Sequence, residues 1–462
     1  MQREKLGSRL GFILLSAGCA IGIGNVWKFP YIAGQYGGGL FVLIYLAFLL
    51  LMGVPALTVE FSLGRAAQSS PVKLYDALET QGKSYKKWRW HGYVAMAGNY
   101  LLMMFYTVVA GWMLKYFVLM AQGAFSKMDV KAIGGVFDGV CADPVSMIIY
   151  TGIVIALGFF VCSIGVQNGL EKITKWMMLA LLGIMIVLAV NSIFLPGGKE
   201  GLSFYLLPDV SKIRENGLIN VIVAAMNQAF FTLSIGMGSM AIFGSYIGKE
   251  RSLMGESVSI ALLDTFVAIC SGLIIFPACF AYSVPVNSGP SLIFVTLPNI
   301  FNHMAGGRIW GSFFFVFMSF AALSTVFAVF ENIISCTMDL TKMSRKKACL
   351  VNGILMFVLA LPCILGFNLL SGFMPFGLKD GNPTNIMDLE DFLVSNVILP
   401  LGAMIYIIFA VNRRGFGWNK LLDEANQGKG LRIPKWMKGY MTFVLPAIIF
   451  VIFLMGIINY FA

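Results

Sequence analysis

The sequence predicts an all-α polytopic membrane protein, and three observations carry that reading. Hydrophobic residues make up 58% of the 462 and charged residues 12%, a composition outside the range of soluble domains. Apolar runs recur along the whole chain, each near the roughly 20 residues that a bilayer-crossing helix needs. Eleven can be marked, near 10–36, 39–64, 93–121, 146–164, 174–195, 218–246, 257–282, 308–338, 349–367, 389–412 and 440–461. Basic residues collect in alternate connections: six from Arg65 to Arg89, seven from Arg413 to Lys438, and the group Lys342, Arg345, Lys346 and Lys347. This positive-inside pattern places the N-terminus in the cytoplasm and, with an odd number of spans, the C-terminus outside.

The same placement accounts for the net charge of +11 without a nucleic-acid partner; membrane lipid and a small solute are the partners to expect. No short apolar stretch ends in a small-residue cleavage site, so the first run reads as a span and not as a removable signal. Most of the eight cysteines lie in apolar runs. Only Cys141 falls in a predicted outer connection, which speaks against a disulfide framework. His91 and His303 join no metal-ligand cluster, and no zinc-protease, P-loop or nucleophile-elbow motif occurs, so no enzyme is expected.

The first span holds Ser16 to Pro30, with Gly18, Gly22 and Gly24, then Asn25 and Lys28. A plain membrane helix has no use for these residues. Glycine tolerates non-helical backbone and lets a ligand approach the main chain, so a helix broken in mid-membrane is expected, its freed carbonyls and amides open to an ion and a small anionic group. Upstream, Arg3 and Arg9 flank Glu4 as positive-inside anchors or as a cytoplasmic gate cation. The second span carries Glu60 one turn inside its boundary. An intramembrane carboxylate is costly unless paired or hydrogen-bonded, so Glu60 either snorkels or caps unwound backbone on a neighbour. Tyr106 in the third span matters if its hydroxyl meets the first break. The fifth span, Lys175 to Leu195, is nearly uninterrupted.

The sixth span repeats the logic of the first. Asn227, Gln228, Thr232 and Ser234 precede Gly236 and Gly238 at mid-depth. Gly-interrupted spans in corresponding positions of two halves point to a transporter's central site. The seventh span holds Asp264 among apolar neighbours, a functional residue by default. The connection from Phe294 to Gly307 is semi-apolar and long enough to dip into an outer vestibule. The eighth span carries Ala321 with Ser324 and Thr325, hydroxyls that satisfy their own helix or face a small hard cation. Glu331 and Asp339 follow on it. Asp388, Glu390 and Asp391 cluster at the outer boundary before the tenth span.

The run Gly18 to Pro30, followed by Gly37-Gly38-Gly39, resembles the first-helix signature of the neurotransmitter:sodium symporter family. Gln228 to Gly238, Pro298 to Gly307 and Ala321 to Thr325 resemble it too, in register. The chain is most similar to the family's bacterial eleven-helix amino-acid transporters, such as those for leucine and tyrosine. The resemblance implies the leucine-transporter fold: two inverted five-helix repeats, spans one to five and six to ten, plus an eleventh helix, with spans one and six unwound at mid-membrane. Residues 1–9 would be a cytoplasmic tail with the gate arginine, 10–217 the first repeat, 218–413 the second, and 414–462 a cytoplasmic loop and the last span.

Carried onto this chain, the resemblance implies two sodium sites. The first would use the Ala20 carbonyl, Asn25, Thr232 and Asp264 with the substrate carboxylate. The second would use the carbonyls of Gly18, Ile21 and Ala321 with the hydroxyls of Ser324 and Thr325. Substrate would meet Ala20, Gly24, Leu102, Tyr106, Phe231, Thr232, Ser234, Met237, Thr325 and Val329. Tyr106 and Phe231 would form the outer lid, with Lys28 and Asp391 as an outer ion pair. Arg3 with Asp339, near Tyr246, would form the inner gate, and Glu60 and Gln228 would be structural polar residues. The implied function is sodium-coupled symport of a zwitterionic amino acid, large and hydrophobic or aromatic, into the cell across the bacterial cytoplasmic membrane by alternating access.

Four departures from the family pattern sharpen this. Gly22 stands where monoamine transporters have an aspartate, so the substrate should bring its own carboxylate. Asp264 and Ala268 stand where chloride-dependent members have Asn and Ser, so no chloride requirement is expected. Lys28 replaces the usual outer arginine and cannot make a bidentate fork. A proline that close bacterial relatives carry in helix five is absent near Leu179, against a release path that needs unwinding there. Proton-coupled amino-acid transport through Asp264, an amino-acid sensor without transport, and a channel are the competing classes.

Overall fold

The computed structural model describes residues 4–78, 88–126, 128–282, 290–379 and 382–461. Among them, nine helices are long and apolar enough to span a membrane. The remaining two predicted spans are the broken ones. Arg9–Ala20 and Gly24–Gln35 form a pair bent by 57°, and Leu218–Phe231 is followed, after a non-helical stretch, by the short helix Ser239–Gly244. All eleven expected spans are therefore accounted for. The outer connection holds a two-residue hairpin, Leu378–Lys379 against Asn382–Pro383.

The first helix starts where Ser8 caps it, its Oγ accepting the Gly11 amide at 3.0 Å. It stops at Ile21, whose ψ of 86° leaves the helical region. The sixth span breaks harder, with positive φ at Ser234 (50°), Gly236 (112°) and Gly238 (82°). Its short second half packs directly on the second span. A Cβ on Gly64 would lie 1.9 Å from the Ala241 carbonyl oxygen, and one on Gly244 would lie 2.4 Å from that of Phe61, so the two backbones touch where glycine allows it.

The eighth span, Gly307–Thr341, is buried along most of its length. It backs both the first span, where Gly18 faces Ser324, and the fourth, where Phe330 stacks on Phe159 at 4.0 Å. Toward the end of the third span, Trp112 and Tyr116 meet Phe137 and Phe294 from two connections. The connection after Phe294 forms the short helix Leu297–His303, held by Phe301 against Phe314. The fifth span runs helical through Leu179, from Lys172 to Ile193. Its irregularity lies at its start, a wide turn Val166–Glu171 after Gly165 at φ 115°.

Candidate functional site

The two breaks face each other and converge on Asp264. Asn25 Nδ2 donates to Asp264 Oδ1 at 2.7 Å and to Thr232 Oγ1 at 3.2 Å, and Thr232 Oγ1 donates to Asp264 Oδ2 at 2.6 Å. The three residues come from the first, sixth and seventh spans and are all buried. A fully buried carboxylate here is held by two side-chain donors, which offsets part of its desolvation. Because the Asn25 nitrogen is committed, its Oδ1 is the atom left for a cation. Ala20 ends the first half-helix.

The second oxygen cluster also assembles. Thr325 Oγ1 donates to the Gly18 carbonyl at 3.2 Å, and Ser324 Oγ donates to the Ala321 carbonyl at 2.9 Å. Ile21 follows at the end of the same half-helix. A Cβ on Gly18 would come within 3.1 Å of Ser324 Cβ, so glycine is what lets the first and eighth spans bring these oxygens together. Every atom in the set is oxygen, the donor type that suits a hard cation.

Between the clusters, the Ile23 amide donates to the Tyr106 hydroxyl at 3.2 Å. A Cβ on Gly22 would sit 3.0 Å from that hydroxyl and 3.6 Å from Thr325 Oγ1, whereas one on Gly24 would meet nothing within 4 Å. The start of the second half-helix is thus open in front of Gly24, and a helix N-terminus favours an anion. Ser234 Oγ donates to the Cys19 carbonyl at 3.2 Å and ties the two breaks together. Leu102, Tyr106, Phe231 and Ser234 are half-buried; Met237, Thr325 and Val329 are buried. The surround is apolar apart from the groups already named.

Glu60 is the cap and not a snorkelling surface group. It is fully buried and accepts the amides of Gly236 at 2.9 Å, Met240 at 3.2 Å and Ala241 at 3.4 Å. Gln228 is buried on the first half of the sixth span. Tyr45 is a residue that reading along the chain missed. It is fully buried with its hydroxyl beside Thr232, Thr265 and Asp264; one tyrosine in an apolar span carries no local signal for that.

The outer gate differs from expectation. Among the described residues Lys28 makes no ion pair with Asp391. Its Nζ lies 4.4 Å from the Phe231 ring centroid, and Asp391 accepts from Ser395 Oγ at 2.6 Å. Lys28 is exposed one turn beyond Asn25, and the aromatic face there competes for its charge. Arg3 lies outside the described residues. Asp339 accepts the Ser70 amide at 2.8 Å. Among the described residues, Arg345 forms an ion pair with Glu331. Nη1 and Nη2 lie 2.7 and 3.0 Å from the two Glu331 oxygens, and Nε lies 3.3 Å from Glu4. The Tyr246 hydroxyl donates to Glu331 at 2.6 Å and pairs with Ser335 Oγ at 2.8 Å.

A site of two helix breaks around buried oxygen ligands suits the binding and movement of a cation with a solute. Comparison with known proteins shows the family of the chain. The sodium:neurotransmitter symporter family matches residues 3–131 and 142–462. The chain belongs to that family. It is 33% identical to YhdH, an uncharacterised sodium-dependent transporter of Bacillus subtilis, over 98% of both chains. It is 22% identical to the sodium- and chloride-dependent taurine transporter of the dog, over 99% of this chain and 79% of that one. In structure it matches MhsT, solved in complex with L-phenylalanine, with a TM-score of 0.84 and 37% identity over 98% of this chain and 100% of that one. The protein is a multi-pass membrane transporter with the leucine-transporter fold, it uses sodium, and it is not an enzyme.

Proposed function

We propose that this transporter carries a zwitterionic amino acid with a large hydrophobic or aromatic side chain into the cell, driven by two sodium ions and without chloride. The observation that carries the reading is the hydrogen-bonded set Asn25, Thr232 and Asp264 at the meeting point of the two breaks. A sodium ion there takes the Ala20 carbonyl, the Asn25 amide oxygen, Thr232 and Asp264, with the substrate carboxylate as a further ligand. The second ion takes the carbonyls of Gly18, Ile21 and Ala321 with Ser324 and Thr325. Direct contact between ion and carboxylate makes coupling local, and by linkage each tightens the other by the same factor.

The open start of the second half-helix at Gly24 and the Tyr106 hydroxyl receive the carboxylate. Gly22 offers the amine no acid of its own. The apolar surround of Leu102, Phe231, Met237 and Val329 favours a large side chain, and methionine repacks readily. The amino-acid substrate also agrees with the phenylalanine bound to MhsT. Asp264 supplies the buried negative charge itself and Ala268 offers an anion no donor, which supports independence from chloride. The N-terminus lies in the cytoplasm and the C-terminus outside. In transport, sodium stabilises the outward-facing state, substrate closes Tyr106 over Phe231, and the cytoplasmic contacts then part, those of Arg3 and Asp339 among them.

Uptake into proteoliposomes tests this. Labelled phenylalanine, tryptophan, tyrosine and leucine are offered under an inward sodium gradient or potassium, at fixed pH, in chloride or gluconate. The expected result is accumulation that requires sodium and ignores the anion, and that falls to background in Asp264→Asn. Accumulation driven by a pH gradient in sodium-free buffer would replace sodium by proton coupling. Saturable binding without accumulation would leave a sensor.

A further inference from the structure

The sixth-span break presents two kinds of unsatisfied backbone group. Its amides go to Glu60. Its carbonyl at Met237 goes elsewhere, to two buried asparagines that the transport mechanism does not otherwise use. Asn99 Nδ2 of the third span donates to the Met237 oxygen at 2.8 Å, and Asn332 Nδ2 of the eighth donates to the same oxygen at 3.0 Å. Asn99 and Asn332 are 1% and 0% exposed. Asn99 is itself set by the Ala95 carbonyl, 2.6 Å from Nδ2, and by Ser239 Oγ, 3.4 Å from Oδ1.

Their positions along the helices matter. On the third span, Asn99 shares a face with Leu102 and Tyr106; on the eighth, Asn332 shares one with Val329 and Thr325. Both asparagines thus lie a turn below the side-chain subsite, on the faces that line it. Met237 lies between them at the floor, with its thioether against Gly98, where an added Cβ would come within 3.1 Å of the sulfur. An unbranched side chain with three rotatable bonds does not hold one shape unaided. Its neighbour Gly236 sits at φ 112° and Gly238 at φ 82°, so the peptide between them has wide freedom unless it is tied.

We propose that Asn99 and Asn332 are specificity-determining positioning residues: by fixing the Met237 carbonyl from two sides, they set the depth and shape of the subsite for the substrate side chain. This rests on the reading of the two breaks as the amino-acid site. Neither asparagine touches substrate or ion. Their effect passes through the floor of the pocket, while the sodium ligands lie on the other side of the break.

The test compares wild type with Asn99→Ala, Asn332→Ala and the pair, each reconstituted in proteoliposomes. For alanine, leucine, phenylalanine and tryptophan, kcat and KM are measured, with the half-saturating sodium concentration. Loss of one of two donors to a buried carbonyl should compress the ratio of kcat/KM between best and worst substrate by about fivefold, and loss of both further. Sodium half-saturation should stay within about twofold of wild type, since its ligands keep their own hydrogen bonds. Asn332→Gln, which keeps a donor, should recover part of the discrimination, and Asn332→Asp should not. Unchanged ratios, or an equal fall for all four substrates together with weaker sodium binding, would overturn the proposal. Absence of sodium-driven accumulation in the wild type would instead overturn the reading of the site.

Discussion

The two ends of the transport path are closed by different physics. At one end, Glu331 is fully buried and receives Arg345 through two nitrogens, the Tyr246 hydroxyl and Ser335, while Glu4 adds a second carboxylate to the arginine. The Glu4 carboxylate also accepts the Val166 amide at 2.6 Å. The first helix is tied down close by: Glu171 accepts the Gly7 amide at 2.6 Å and Ser8 Oγ at 2.8 Å, and Glu256 pairs with Arg9 at 2.9 Å. At the other end Lys28 and Asp391 stay apart. Lys28 rests on an aromatic face and Asp391 on its own helix. The contrast sets a buried, forked pair at one end against an exposed cation on an aromatic ring at the other. It teaches that burial, more than the number of charges, decides which end holds: an exposed ammonium contributes little, whereas a desolvated, forked pair resists separation.

That contrast can be broken most sharply at Arg345. Removing one partner of a buried pair costs about 3–5 kcal/mol, so Arg345→Ala should abolish sodium-driven accumulation, measured as uptake against protein-free vesicles. Adding Glu331→Gln to the same chain removes the orphaned charge and should restore part of the rate. If Arg345→Ala accumulates substrate normally, the inner latch is not Arg345 with Glu331.

A smaller effect is expected where the outer lid meets the first break. Gly22→Ala puts a methyl 3.0 Å from the Tyr106 hydroxyl. Overpacking of about 1–3 kcal/mol corresponds to a rise in KM of about fivefold or more, with the sodium requirement intact. An unchanged KM would mean that Tyr106 gives way freely. The smallest effect belongs to Lys28. A cation–π contact at an exposed site contributes about 0.5–1 kcal/mol, so Lys28→Ala should change kcat/KM by about fivefold at most. A larger loss in Lys28→Ala, recovered in Lys28→Arg, would show that an outer ion pair forms later in the cycle.

Much of this was legible along the chain. Spans announce themselves by hydropathy, and both breaks by glycines beside polar residues at membrane depth, where an ordinary helix has no use for them. Asp264 was conspicuous because a carboxylate in an apolar run has few bland explanations. The gates were harder. The expected partner of Lys28 was an acid about 360 residues away, and the observed one is a ring. Glu331 was visible as an intramembrane acid, but nothing near it in the sequence points to Arg345, which reads as one more basic residue in a positive-inside cluster. Asn99 and Asn332 look like incidental polar residues until their shared acceptor is seen.

The sequence by itself determines the number of spans, which two are broken, and the carboxylate they surround, because hydropathy, glycine and buried charge act through the local cost of backbone and side chain in a bilayer. The tertiary structure decides which polar groups meet. Partner choice depends on the rotation and depth at which helices pack, so it alone gave Glu60 the amides of the sixth-span break, Arg345 the Glu331 carboxylate, and one Met237 carbonyl to two asparagines from different helices.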